Sequence, residues 1–260
     1  MKYKITTNYG QVNLKVALQA DSPQKVRLKV YDAQNPKRVF TNRYKTIKGE
    51  ESLFVRMPLS GDVTIVEVTN DGGIVKKGEK ENFNFVGVEK LPLERRIDVS
   101  DIRDGRVRSF VEFAQRFAFN LDELEPNQIY TSNDREYYIK LFPTIVNQQG
   151  QELNTPARIS KRTGVIQVSK KAFMEMTIPM RIAILMHEFS HFYLNEQMDN
   201  EIEADLNGLL VYLGLGYPRI EAYQAFLETF KGVPSQQNKE RYDVINKFIN
   251  DFESMNMVIQ

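Results

Sequence analysis

The sequence predicts an α+β chain in which a β-rich half precedes a helix-rich one. Three observations carry this: period-two alternation of apolar and polar residues from Lys2 to about Lys90, a change of pattern between Glu89 and Ser100, and apolar positions at helical spacing beyond it. In the first stretch Val12-Asn13-Leu14-Lys15-Val16-Ala17-Leu18 and Val26-Arg27-Leu28-Lys29-Val30-Tyr31 alternate clearly. Val39 to Tyr44, Leu53 to Met57, Val63 to Val68 and Phe83 to Val88 follow suit. Turn residues separate them at Ser22-Pro23, Asn35-Pro36, Lys48-Gly49, Ser60-Gly61-Asp62 and Asn70-Asp71-Gly72-Gly73. About seven short strands at this spacing predict an immunoglobulin-like β-sandwich over residues 1–90. No cluster in it suggests chemistry, so binding or docking is its expected work.

Leu91-Pro92-Leu93 and the charged Glu94-Arg95-Arg96 open an expected linker, residues 91–104, and residues 105–260 form the second domain. There Val107, Phe110, Val111, Ala114, Phe117 and Ala118 fall at helical spacing and predict a helix from Val107 to Phe119. Gln128 to Thr131, Tyr137 to Phe142 and a hairpin from Ala157 to Ser169 read as strands. Thr177, with Pro179 close behind, suits a helix start, because a hydroxyl can cap and proline fits the first turn. From Met180 to Leu194 that helix is apolar on nearly every side, which marks it as buried.

Composition narrows the chemistry. The chain has no cysteine, so neither a disulfide framework nor a thiolate ligand or nucleophile is available. Residues 1–90 hold 16 Lys and Arg against 10 Asp and Glu, a net +6, while the remainder carries −5. The asymmetry suggests separate surfaces and an acidic assembly partner for the first domain. No basic stripe interleaved with aromatics forms a recognisable nucleic-acid module, so nucleic acid is not an expected partner. The N-terminus lacks the apolar core of a secretory signal, and no run approaches the roughly 18 apolar residues of a membrane span. A cytoplasmic protein, or one built into a cytoplasmically assembled particle, is expected, with no membrane contact.

The two histidines stand four residues apart in His187-Glu188-Phe189-Ser190-His191. On a helix they project from one face, so both imidazoles can bind one metal while Glu188 reaches the same side. Their burial on an apolar helix demands partners, which a metal supplies. Zinc in a catalytic site takes three protein ligands, and Asn200-Glu201-Ile202-Glu203-Ala204-Asp205-Leu206-Asn207-Gly208 offers the third. Read as a helix, this segment sets Glu201, Ala204, Asp205 and Gly208 on one face, where the small Ala204 and Gly208 allow close approach to the histidine helix. Glu201 is then the leading ligand and Glu203 its competitor, the alternative role of Glu203 being a capping box with Asn200. Asp205, one turn on, is placed to accept the second ring N–H of a ligating histidine.

These residues, with Glu201 and Asp205 four apart and Asp205 closing Glu203-Ala204-Asp205, resemble the gluzincin metallopeptidases, particularly the CAAX prenyl protease and bacterial heat-shock peptidase branch. The likeness covers about residues 105–250. Upstream, Gly164-Val165-Ile166-Gln167-Val168-Ser169 stands where that family has the strand lining its cleft; downstream, Pro234-Ser235 and Glu240-Arg241 are similar to a Pro-Ser…Glu-Arg element. The chain departs from the family in lacking membrane helices, in having Ser190 where glycine often precedes the second histidine, and in having no histidine before Pro234.

The resemblance implies a zincin-like domain with zinc on His187, His191 and Glu201, and Glu188 as general base on the zinc-bound water. It also implies a protein or peptide substrate lying along Val165, Ile166, Gln167 and Val168 as an edge strand. Arg241, Tyr242, Tyr212 and Tyr217 are candidates to stabilise the oxyanion. The other reading is a structural or docking component of a larger assembly, such as a phage particle, that keeps a metallopeptidase fold with little turnover.

Overall fold

The computed structural model describes residues 1–70, 83–231 and 235–254. The fold is mixed α and β, in two compact units, Met1–Glu94 and Arg95–Gln260. The boundary falls inside the stretch expected to be a linker, but residues beyond it belong to the second unit: the backbone N–H groups of Arg96 and Ile97 both donate to Gly214 O.

Among the described residues, five strands make the first unit: β1 (Lys2–Thr6), β2 (Val12–Asp32), β3 (Val39–Met57), β4 (Val63–Asn70) and β5 (Asn84–Pro92). All pair antiparallel in one sheet, ordered β1-β4-β2-β3, with β5 sharing the β4 edge of β2. The seven short strands expected from the sequence are therefore corrected. Val12–Leu18 and Val26–Tyr31 are two halves of one 21-residue strand, and Val39–Tyr44 and Leu53–Met57 are halves of a 19-residue partner. Ser22-Pro23 and Lys48-Gly49 looked like turns in sequence, but they oppose each other in the ladder. Pairing runs Ala20↔Gly49 and then Gln24↔Ile47, so three residues face one across a bulge. Pro23, which has no N–H to give a ladder, is tolerated there, and Gly49 takes φ +70°. The Tyr3 ring on β1 and the Phe85 ring on β5 lie 5.7 Å apart. Alternate β2 residues such as Leu14, Val16, Val26 and Val30 are fully buried within the sheet. Of the expected turn at Asn70-Asp71-Gly72-Gly73, the last three residues lie outside those described.

The second unit has a four-stranded sheet, ordered β6-β7-β9-β8, from β6 (Ile129–Thr131), β7 (Tyr138–Phe142), β8 (Ala157–Ile159) and β9 (Ile166–Ser169). Around it lie α1 (Gly105–Asn120), α2 (Lys170–Met174), α3 (Ile178–Tyr193), α4 (Glu201–Gly214), α5 (Arg219–Lys231) and α6 (Gln236–Ser254). No helix among the described residues is long and apolar enough to cross a membrane.

Helix α3 is the axis of this unit, buried from Ile178 through His191. Its N-terminus is capped by Thr177 Oγ1, which accepts from the Met180 N–H and donates to the buried Glu221. Arg181, almost wholly buried, donates to the carbonyls of Phe173 and Ala118, each at 2.8 Å, and burial lowers its pKa to about 10. Phe189 stacks between Phe110 of α1 (centroids 4.1 Å apart) and Tyr193 (4.8 Å), fixing the helix about its own axis.

Asn200 caps α4 by accepting from the Glu203 N–H. Gly208 brings that helix against α3, where an added Cβ would sit 3.0 Å from His187 N. Gly208→Ala gains about 1 kcal/mol of helix propensity but forces overpacking that costs about 1–3 kcal/mol, so a net loss is expected. A lower Tm together with weaker metal binding checks it.

Candidate metal centre

One turn of α3 and the first turn of α4 converge on a single point. His187 Nε2 and His191 Nε2 lie 3.1 Å apart, and the Glu201 carboxylate is 3.6 Å from the first and 3.5 Å from the second. These three residues form a group that could hold a metal ion. A tetrahedral zinc about 2.0–2.1 Å from each ligand atom sets those atoms about 3.3–3.4 Å apart, close to the spacing found.

The outer ring nitrogens decide what the inner ones can do. His191 Nδ1 lies 2.8 Å from Met198 O, and a carbonyl only accepts, so the proton sits on Nδ1. His187 Nδ1 is 2.8 Å from Asp205 Oδ1, a close charged contact whose angle falls short of a regular hydrogen bond. It too favours the proton on Nδ1. Both Nε2 lone pairs therefore aim at each other with a carboxylate beside them, a donor set suited to a divalent cation. Asp205→Ala should weaken zinc affinity about 10–100-fold, read by chelator competition.

Arg241, from α6, completes the support. Its guanidinium clasps Asp205 through Nε (2.7 Å) and Nη2 (2.9 Å), and its Nη1 reaches Glu201 Oε2 at 3.0 Å. Burial opposes ionisation of Glu201, but His191, His187 and Arg241 together hold its carboxyl at about 2. For His187, burial works against protonation and the Asp205 carboxylate outweighs it, so its pKa is raised. Glu188 is buried beside the pair. Desolvation raises its pKa against the pull of the two imidazoles and of the nearby Ile159 backbone N–H.

The sequence-predicted residues divide as follows. His187, Glu188, His191, Glu201 and Asp205 come together. Glu203 stays away, accepting from the backbone N–H of Glu196 (2.7 Å) and Gln197 (3.5 Å). This is not the reciprocal capping box, because the Asn200 N–H donates to Gln197 O instead. Tyr212 and Tyr217 are buried and bonded to Pro218 O and Gln115, while Tyr242 packs against Tyr223, so none faces the centre. Pro234 lies outside the described residues.

The edge-strand assignment for Val165, Ile166, Gln167 and Val168 is corrected. Val165 precedes β9, and β9 is central, with β7 parallel on one side and β8 antiparallel on the other. The edge belongs to β8. Ser160 N–H donates to Val165 O and Ser169 N–H to Pro156 O, so residues 156, 158 and 160 turn their backbone to β9. Ala157 and Ile159 turn theirs toward a cleft of about 730 Å³ that also contains His187, Glu188, His191 and Glu201. Sequence reasoning missed Met198, whose carbonyl carries no sequence signal, and gave Arg241 a different role. Comparison with protein-family models, curated proteins and solved structures returned no match.

Proposed function

We propose that this chain is a zinc-dependent peptidase with a zincin-like catalytic unit, and that its first unit serves for docking. The observation that carries the reading is the buried pair of Nε2 lone pairs facing Glu201, with the unligated carboxylate of Glu188 beside them. His187, His191 and Glu201 would hold the ion, which supplies Lewis acidity to a carbonyl and to water when bound.

The chain's own residues do the rest. A substrate in extended form pairs with the outward backbone groups of β8 at Ala157, adding a strand to the sheet. Glu188, buried beside the two imidazoles, takes the proton from the attacking water and delivers it to the leaving amine nitrogen. Asp205 and the Met198 carbonyl keep the imidazoles in the tautomer that presents Nε2. Arg241 holds Glu201 and Asp205 in place.

Incubation with an unfolded protein pool tests this. Zinc-loaded protein should cleave it, chelation should stop cleavage, and added zinc should restore it. Zinc-loaded protein that leaves the pool intact would instead support the docking component of a larger assembly.

A further inference from the structure

The cleft around the metal centre has two unlike ends. Ile184 lines it one turn before His187 and Glu188 on α3. On α5, the Phe226 ring lies 6.3 Å from the His187 ring at 78°, and Phe230 stacks on Phe226 at 6.0 Å. Thr229, between them in sequence, also lines the cleft. Among the described residues, Arg241 lies against this wall, its guanidinium 4.8 Å over the Phe230 ring. Its donors already serve Asp205 and Glu201, which leaves it little to offer a substrate carboxylate.

The other end is built differently. Asp199 follows Met198, the residue whose carbonyl holds His191, and it pairs with Lys161, both lining the cleft. Polarity therefore changes across the metal centre, from an aromatic and aliphatic wall on the His187 side to an ion pair on the His191 side.

We infer that the cleft selects peptides with a bulky apolar side chain next to the scissile bond, seated on the His187 side against Ile184, Phe226 and Phe230. The inference rests on the peptidase reading above and adds its substrate class. An apolar wall gains from each buried methylene, and a charged side chain placed there loses its hydration with no partner to replace it. Phe, Leu and Met beside the cleaved bond should be favoured over Asp and Lys by about 10²-fold or more in kcat/KM, a combination of lost burial and unpaired charge.

Two measurements separate this from the reading beneath it. Mass spectrometry of a pooled library of unstructured peptides digested by the zinc-loaded protein should show cuts beside bulky apolar residues. Binding is read without turnover on the Glu188→Gln variant, by anisotropy of a labelled Gly/Ser peptide with one central Phe against the same peptide with Asp or Lys. Thr229→Asp, a change at a partly exposed helical position, should bring Lys and Arg into the preferred set; Phe226→Ala should weaken the Phe preference about 10-fold. Cutting with no apolar bias, together with equal binding of the three peptides, overturns the inference and leaves the peptidase reading standing. A library left wholly uncut, with none of the three peptides bound, removes both.

Discussion

Glu188→Gln is expected to cut peptide-bond cleavage by about 10²–10⁴-fold while leaving the bound metal in place. The amide matches the carboxylate in shape, keeps an acceptor oxygen, and loses the ability to take a proton. Glu188 is not one of the three converging groups, so zinc content should stay at the wild-type level. The variant also loses a buried carboxyl group that desolvation disfavours in its charged form, so its Tm should not fall. Turnover at the wild-type rate would remove Glu188 from the mechanism. Loss of zinc along with activity would make it a ligand.

Glu201→Ala is expected to abolish stoichiometric zinc binding, whereas Glu203→Ala should keep it. Only Glu201 reaches both Nε2 atoms, and its removal also strips Arg241 of one of its two carboxylate partners. Two imidazoles alone leave the ion one protein ligand short of the usual three. Glu203 instead accepts from two backbone N–H groups ahead of α4, so its loss should cost about 0.5–2 kcal/mol of stability, as other losses at a helix N-terminus do. Zinc analysis of the two purified variants decides the matter, and the reverse pattern would falsify the assignment of Glu201.

What the sequence made legible was local. The i,i+4 histidines, the Thr177 and Asn200 caps and the small Gly208 each follow from the few residues around them, and helix geometry converts them directly into positions. Pairing across long separations was not legible. Period two identified Ile166–Ser169 as a strand, but nothing in it says that β7 comes alongside in parallel and makes it central. Turn residues at Ser22-Pro23 and Lys48-Gly49 are the same residues a bulge uses, and only the ladder distinguishes the two. The Met198 carbonyl is invisible for a further reason, since every residue carries one. Arg241 was visible as a cation downstream, but its fork on Asp205 depends on where α6 docks.

The facing ring nitrogens have a consequence for heat resistance. Without an ion, the two Nε2 atoms 3.1 Å apart beside the Glu201 carboxylate have only a proton to share between them. Zinc held by His187, His191 and Glu201 would bind the folded form alone and so shift the equilibrium by mass action, by about 2.7 kcal/mol at a hundredfold excess over Kd. The melting temperature of this protein should therefore rise steadily with free zinc, which makes a simple thermal scan a gauge of how fully the centre is loaded.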